Sequence, residues 1–109
     1  MSVSRRHKIE AMLLDEPDDI FLRYSLAVEL CGENEWETGH AMLVQLTHMT
    51  PPYVPAFFMI ANQAVPKGLL DTARGALRDG IEEARRQGNT HAAGEMAGLL
   101  ATLGEFGET

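Results

Sequence analysis

The chain contains few of the residues that mark an extracellular, membrane-spanning or disulfide-linked protein. Cys31 is its single cysteine, so no disulfide can form within the chain and nothing demands an oxidising compartment. Its apolar runs fall well short of the roughly 18 residues that a membrane span needs. The basic N-terminus is interrupted by Glu10 before an apolar segment develops, which is unlike a signal peptide. These absences predict a cytoplasmic protein, and its length predicts a single domain.

Basic residues are almost absent from the middle of the chain. Residues 9–66 contain nine acidic residues and a single base, Arg23, and the formal net charge of the whole chain is −7. This acidic middle would repel the phosphates of nucleic acids and of anionic membranes, so we expect neither as a partner. Charge complementarity favours a basic or apolar protein or peptide instead.

The sequence also lacks the residue spacings that catalysis or metal binding would require. No two histidines lie three or four residues apart, and the acidic run 15–19 lacks the alternating ligands and the glycine of a calcium loop. Cys31 falls at a predicted helix C-terminus, where the helix dipole disfavours a thiolate. We therefore expect no catalytic residue, no metal site, no cofactor and no enzymatic activity.

Apolar residues recur at helical spacing along nearly the whole chain, without the sustained alternation typical of strands. Asp18 and Asp19 can cap the second helix, and Asn34 with Glu37 resembles a capping box at the start of the third. Gly104 is expected to end the last helix and leave a frayed tail. The six predicted helices span about residues 4–14, 20–32, 34–48, 55–65, 69–87 and 91–103.

Three prolines within "TPPYVPAFFMIA", residues 50–61, separate the third predicted helix from the fourth. Pro51 and Pro52 end one helix, because proline lacks the N–H that would continue the hydrogen-bond ladder. Pro55 fits the first turn of the next helix, where its missing N–H would have been unpaired in any case. The segment is therefore predicted to be a helix stop, a short connection and a helix start.

The chain matches itself when it is shifted so that Pro17 falls on Pro51. The small residue Ala27 falls on Ala61 in the same shift. A period of about 34 residues with paired helices resembles the tetratricopeptide repeat family, in its small bacterial type. The residues that occupy the family's pattern are Arg23, Leu26, Ala27, Leu30, Gly39, Leu43 and Pro51 in the first copy, and Phe57, Ile60, Ala61, Ala64, Ala73 and Leu77 in the second.

The resemblance implies an all-α fold, a TPR-like right-handed stack of antiparallel helix pairs in one domain. It divides the chain into a half-unit at 4–14, a repeat at 20–51, a second repeat at 54–87 and a capping helix at 91–103. The sequence departs from the pattern at Arg23, where the family has tryptophan, and the second copy lacks the closing proline.

In this family the first helix of each pair lines a concave groove. Phe57 and Phe58 are consecutive and cannot both face one interface, so Phe58 is expected in the groove if Phe57 is in the core. An apolar patch of this kind can adapt to a partner helix or to an extended peptide. The partner-binding residues that the resemblance implies are Phe21, Tyr24, Val28, Phe58, Met59 and Asn62.

The predicted function is that of a protein–protein interaction module, a small adaptor or assembly scaffold. One alternative is a self-associating structural protein whose groove closes a homodimer, and another is burial of the patch by the first or the sixth helix. One subgroup of the family binds acidic chaperone tails through lysine and asparagine side chains. Tyr24 and Val28 stand in those places here, so we do not expect acidic tails as ligands.

Overall fold

Six α-helices make up the part of the chain that this computed structural model describes, which is the backbone of residues 2–107 and the side chains of residues 5–104. No strand occurs within those residues, so the all-α prediction is confirmed. The elements are α1 (Ser2–Asp15), α2 (Ile20–Gly32), α3 (Trp36–Thr47), α4 (Val54–Ala64), a single 3₁₀ turn (Val65–Lys67), α5 (Leu70–Arg86) and α6 (Thr90–Gly107).

The helices pack mainly against their neighbours in the chain, from α1 on α2 through to α5 on α6. In addition α4 contacts both α2 and α6, so these three helices lie side by side. The molecule is elongated, with principal extents of 46 × 30 × 19 Å. Because packing follows chain order, α1 and α6 lie at the two ends of the series.

Equivalent helices begin one sequence period apart. The first helices of the two pairs, α2 and α4, start at Ile20 and Val54, and the second helices, α3 and α5, start at Trp36 and Leu70. Two of the predicted start signals act as expected. Asp19 accepts a hydrogen bond from the backbone N–H of Leu22 at 2.9 Å and caps α2, and Pro55 lies in the first turn of α4.

Asn34 ends α2 rather than starting α3, so the predicted capping box is wrong. Its φ of 66° lies in the left-handed region, which asparagine tolerates better than most residues. The backbone N–H of Glu35 donates to the carbonyl oxygen of Leu30 at 3.0 Å and closes the helix end around Asn34. Gly68, one period further along the chain, has a φ of 74° in the turn before α5, so the period extends to the turns.

The sixth helix is longer than predicted, because Gly104 does not end it. A glycine ends a helix when it takes a positive φ, and among the described glycines only Gly68 and Gly88 do so. Next to Gly104, Leu103 is buried in the core, which favours continuation of α6. The rest of the predicted frayed tail, residues 108–109, lies outside the described residues.

The core consists of two clusters of mainly aliphatic side chains. One joins α4, α5 and α6 around Phe57, Leu77 and Met96, and we call it the C-terminal cluster. The other joins α2, α3 and α4 around Leu43 and Leu46, and we call it the N-terminal cluster. The buried positions of the repeat pattern are Ala27, Leu30, Gly39, Leu43, Phe57, Ile60, Ala61, Ala64, Ala73 and Leu77.

Two glycines lie where neighbouring helices approach most closely. A Cβ atom on Gly39 of α3 would lie 2.6 Å from the carbonyl oxygen of Ala27 in α2. One on Gly80 of α5 would lie 2.6 Å from the Cβ of Phe57 in α4. Such distances leave no room for a side chain, so glycine at these positions sets the spacing between the helices.

Candidate interaction surface

Side chains of α2 and α4 form a half-buried apolar face that crosses the boundary between the two core clusters. Tyr24 packs its ring edge-on against Tyr53, with the ring centroids 5.4 Å apart and the planes at 66°. Tyr24 and Met59 rest on the N-terminal cluster, whereas Phe58 rests on the C-terminal cluster. We call Tyr24, Val28, Phe58, Met59 and Asn62 the α2–α4 face.

No residue of the α2–α4 face is fully buried in the described chain. Tyr24, Val28, Phe58 and Met59 are half-buried, and Asn62 is exposed. Part of this face is therefore solvent-accessible.

Phe21 belongs to a different surface from the other predicted binding residues. It is 64% exposed and lines a cavity of about 270 Å³ between α1 and α2. Met12 of α1, which is 48% exposed, lines the same cavity together with Arg5 and Lys8. Sequence reasoning did not identify this cleft, which depends on how α1 packs on α2.

Much of the predicted acidic middle is neutralised by the N-terminal helix. Arg6 donates to Glu35 at 2.7 Å and to Glu33 at 3.3 Å, and Arg5 lies 3.2 Å from Glu29. The hydrogen bond to Glu35 is the largest cause of a pKa of Arg6 raised above its ordinary value. These ion pairs reduce the negative charge that the acidic residues near the end of α2 would otherwise present.

The two tyrosines of the surface are held in their neutral form. Burial raises the pKa of Tyr24, and the neighbouring Tyr53 adds to this increase. Burial is also the main cause of the raised pKa of Tyr53, with a smaller contribution from Asp19. Each hydroxyl group therefore keeps its proton to a higher pH than a free tyrosine does.

Several polar and aromatic side chains lie outside the α2–α4 face. Burial raises the pKa of the Cys31 thiol, although Lys67 opposes this in part, so the thiol stays protonated and weakly nucleophilic. Trp36 stacks on His40 with ring centroids 4.7 Å apart, and the Nζ of Lys67 lies 5.2 Å from the centre of the tryptophan ring. Within residues 5–104, no three His, Cys, Asp or Glu side chains are grouped so that they could hold a metal ion.

A second apolar surface lies between α5 and α6, and sequence reasoning did not find it. This α5–α6 groove has a volume of about 610 Å³. The sequence indicates this groove through a second row of apolar residues on α6, spaced three and four residues apart. This row lies beside the row of α6 that packs into the core. The groove is lined by Arg78, Ile81, Glu82, Arg85, Ala97, Leu100 and Ala101.

The fold defines an all-α protein of helices packed in chain order. Neither a protein-family model nor a curated protein matches the sequence. Among solved structures the fold is similar to that of protein BPP2914 from Bordetella parapertussis, a solution structure from the Northeast Structural Genomics Consortium. The TM-score is 0.76 at 22% identity, over 92% of this chain and 87% of that chain, and a likeness at this identity shows the fold alone. None of the described helices has the length and apolarity to cross a membrane.

Proposed function

We propose that the protein is a tetratricopeptide-type interaction module, which binds an apolar helix or extended peptide of a partner protein on the α2–α4 face. The observation that carries this proposal is the apolar patch of Tyr24, Val28, Phe58 and Met59, each of which stays partly accessible in the described chain. Contiguous apolar patches that stay exposed can mark protein–protein interaction sites.

The helix geometry supports the proposed family. The two helix pairs begin at Ile20 and Val54, and this separation equals the period of the tetratricopeptide repeat. The small residues of the pattern, Ala27 with Gly39 and Ala61 with Ala73, are buried where the two helices of each pair meet. A scaffold of this type presents the first helix of each pair to a ligand, and α2 and α4 are those helices.

The chemistry of the face supports an apolar ligand. Met59 is unbranched and polarisable, so it can adjust to different side chains of a partner. Tyr24 contributes a large apolar ring together with a hydroxyl group, and the exposed Asn62 offers both a donor and an acceptor to the backbone of an extended peptide. The proposal includes a cytoplasmic location, which rests on Cys31 being the single cysteine.

Affinity capture with matched variants tests the proposal. The bait with Tyr24→Ala and Met59→Ala removes the surface of the patch, and a control bait with Glu37→Ala and Gln45→Ala alters exposed positions of α3. Proteins retained by wild type and by the control, but lost by the patch variant, are then purified and titrated directly. We expect the patch variant to bind such a partner about tenfold or more weakly, since truncation of an interface anchor typically costs more than about 1 kcal/mol.

Circular dichroism of all three baits must show equal helicity for the comparison to stand. Equal retention of partners by wild type and the patch variant would contradict the proposal. Light scattering on the same samples addresses the alternative in which this face closes a homodimer. In that case wild type and control would be dimers, and the patch variant alone would be a monomer.

A further inference from the structure

The α5–α6 groove combines an apolar floor with a cationic rim. Ile81, Ala97 and Leu100 supply apolar side chains along its length. Arg85 lies on its edge, is exposed, and forms no ion pair with any described residue. The acidic side chain in the groove, Glu82, lies 2.8 Å from Arg86 and is thereby partly neutralised. A segment that fills this groove should therefore be apolar and flanked by acidic residues.

The C-terminal part of α1 offers an exposed apolar residue followed by acidic ones. Leu14 is 86% exposed, more than any other large hydrophobic side chain in the described part of the chain. Ala11, one turn before it, is also exposed, so the two form an apolar strip on α1. Asp15 and Glu16 follow directly, are exposed, and make no ion pair within the described residues.

These two surfaces lie at opposite ends of the molecule. Within the described part of the chain α1 packs mainly on α2, and α6 packs mainly on α5. The helices between them, such as α3 and α5, each have a packed neighbour on both sides. A second copy can therefore present its α1 to the groove without a rearrangement of either copy.

We propose that α1 of a second copy docks in the α5–α6 groove, with Leu14 against the apolar floor and with Asp15 and Glu16 towards Arg85. The contact joins two different surfaces, so it is head-to-tail and leaves one free end on each side of a dimer. It goes beyond the proposed function, because it uses none of the residues of the α2–α4 face and leaves that face open.

Charge favours this pairing over a symmetric dimer through either end. Two grooves facing each other would bring Arg85 of each copy together. Two α1 helices facing each other would bring together the acidic residues after Leu14. Like charges brought together oppose association, whereas groove and α1 are complementary in charge.

Two single-ended variants test this arrangement. Leu14→Asp blocks α1 and leaves the groove intact, whereas Ala101→Glu places a charge in the groove at an exposed position and leaves α1 intact. By sedimentation velocity we expect wild type to form species whose size grows with concentration, and each variant alone to be a monomer. An equimolar mixture of the two variants should form a heterodimer and nothing larger, because it retains one intact contact.

Leu69→Asp is the matched control, because Leu69 is another exposed large hydrophobic residue and lies outside both surfaces. The Leu69→Asp variant should associate as wild type does. The variant with Tyr24→Ala and Met59→Ala should also associate as wild type does, and this result would separate the head-to-tail contact from binding on the α2–α4 face. A wild type that is monomeric at every concentration would overturn the proposal, and so would a mixture of folded variants that stays monomeric. If the Ala101→Glu variant lacks helicity, the Arg85→Glu variant is used in its place. We then expect the Arg85→Glu variant to associate with a copy that carries Glu16→Arg.

Discussion

The close approach of α2 and α3 at Gly39 makes one substitution a sharp test of the packing. Alanine in place of an exposed helical glycine usually stabilises a protein by about 1 kcal/mol, because alanine has the higher helix propensity. At Gly39 the new Cβ would lie 2.6 Å from the carbonyl oxygen of Ala27 and 2.9 Å from the backbone nitrogen of Cys31. Backbone atoms cannot yield without separating the two helices, and overpacking of this kind costs about 1–3 kcal/mol. After the gain in helix propensity is subtracted, we expect Gly39→Ala to lower the free energy of unfolding by about 1 kcal/mol. At the upper end of the overpacking cost, the net decrease would be about 2 kcal/mol.

The matched control is Gly75→Ala in α5, where no atom lies within 4 Å of the added Cβ. This variant should raise the free energy of unfolding by about 0.5–1 kcal/mol. Thermal unfolding followed by circular dichroism measures both, since about 1 kcal/mol shifts Tm by about 4 °C in a domain of this size. The two variants should shift Tm in opposite directions. An increase in Tm for Gly39→Ala as well would refute the close contact between α2 and α3.

Further predictions concern the core, two helix ends and the tyrosine pair. Leu77→Ala removes a fully buried side chain and should lower the free energy of unfolding by about 2–5 kcal/mol in urea titrations, whereas Leu69→Ala, at an exposed position, should change it by less than about 0.5. Asn89 caps α6 through a 3.1 Å hydrogen bond, so Asn89→Ala should cost about 1 kcal/mol, and Asn89→Asp, which keeps the acceptor, should cost much less. Asn34→Gly should preserve stability and Asn34→Ala should reduce it by about 1 kcal/mol, because φ at this position is positive. Because the pKa of Tyr24 is raised in the folded protein, the unfolded chain loses the tyrosine proton at a lower pH than the folded chain does. The free energy of unfolding should therefore fall as the pH rises above the ordinary pKa of 10.0 towards the raised pKa. Tyr24→Phe should make that fall smaller.

Local signals were sufficient for the helices but ambiguous at some of their ends. Pro51, Pro55 and Asp19 act within one turn of the backbone, so their effect could be predicted from neighbouring residues alone. Asn34 can serve either as an N-cap or as the left-handed residue that ends a helix, and the sequence favoured the wrong one. The hydrogen bond from Glu35 to the Leu30 carbonyl oxygen, which settles the matter, depends on how the chain turns between α2 and α3.

The candidate surfaces were harder to predict than the helices. Tyr24 and Met59 meet on one cluster as expected, because both positions follow from the phase of their own helix. Phe21 has a suitable phase as well, but it faces the cleft beside α1. Which neighbour covers a side chain depends on the spacing and angle of whole helices, and no local pattern encodes either.

By itself the sequence determined that this is an all-α protein with a periodically repeated pair of helices, and it determined most residues of the buried core. Those properties depend on helical periodicity and on backbone chemistry, which act over a few residues. Only the tertiary structure decided that Arg5 and Arg6 neutralise part of the acidic middle, that Leu14 is left exposed, and that a groove opens between α5 and α6. The reason is that exposure and charge pairing belong to surfaces assembled from several helices, and these surfaces exist only after the helices have packed.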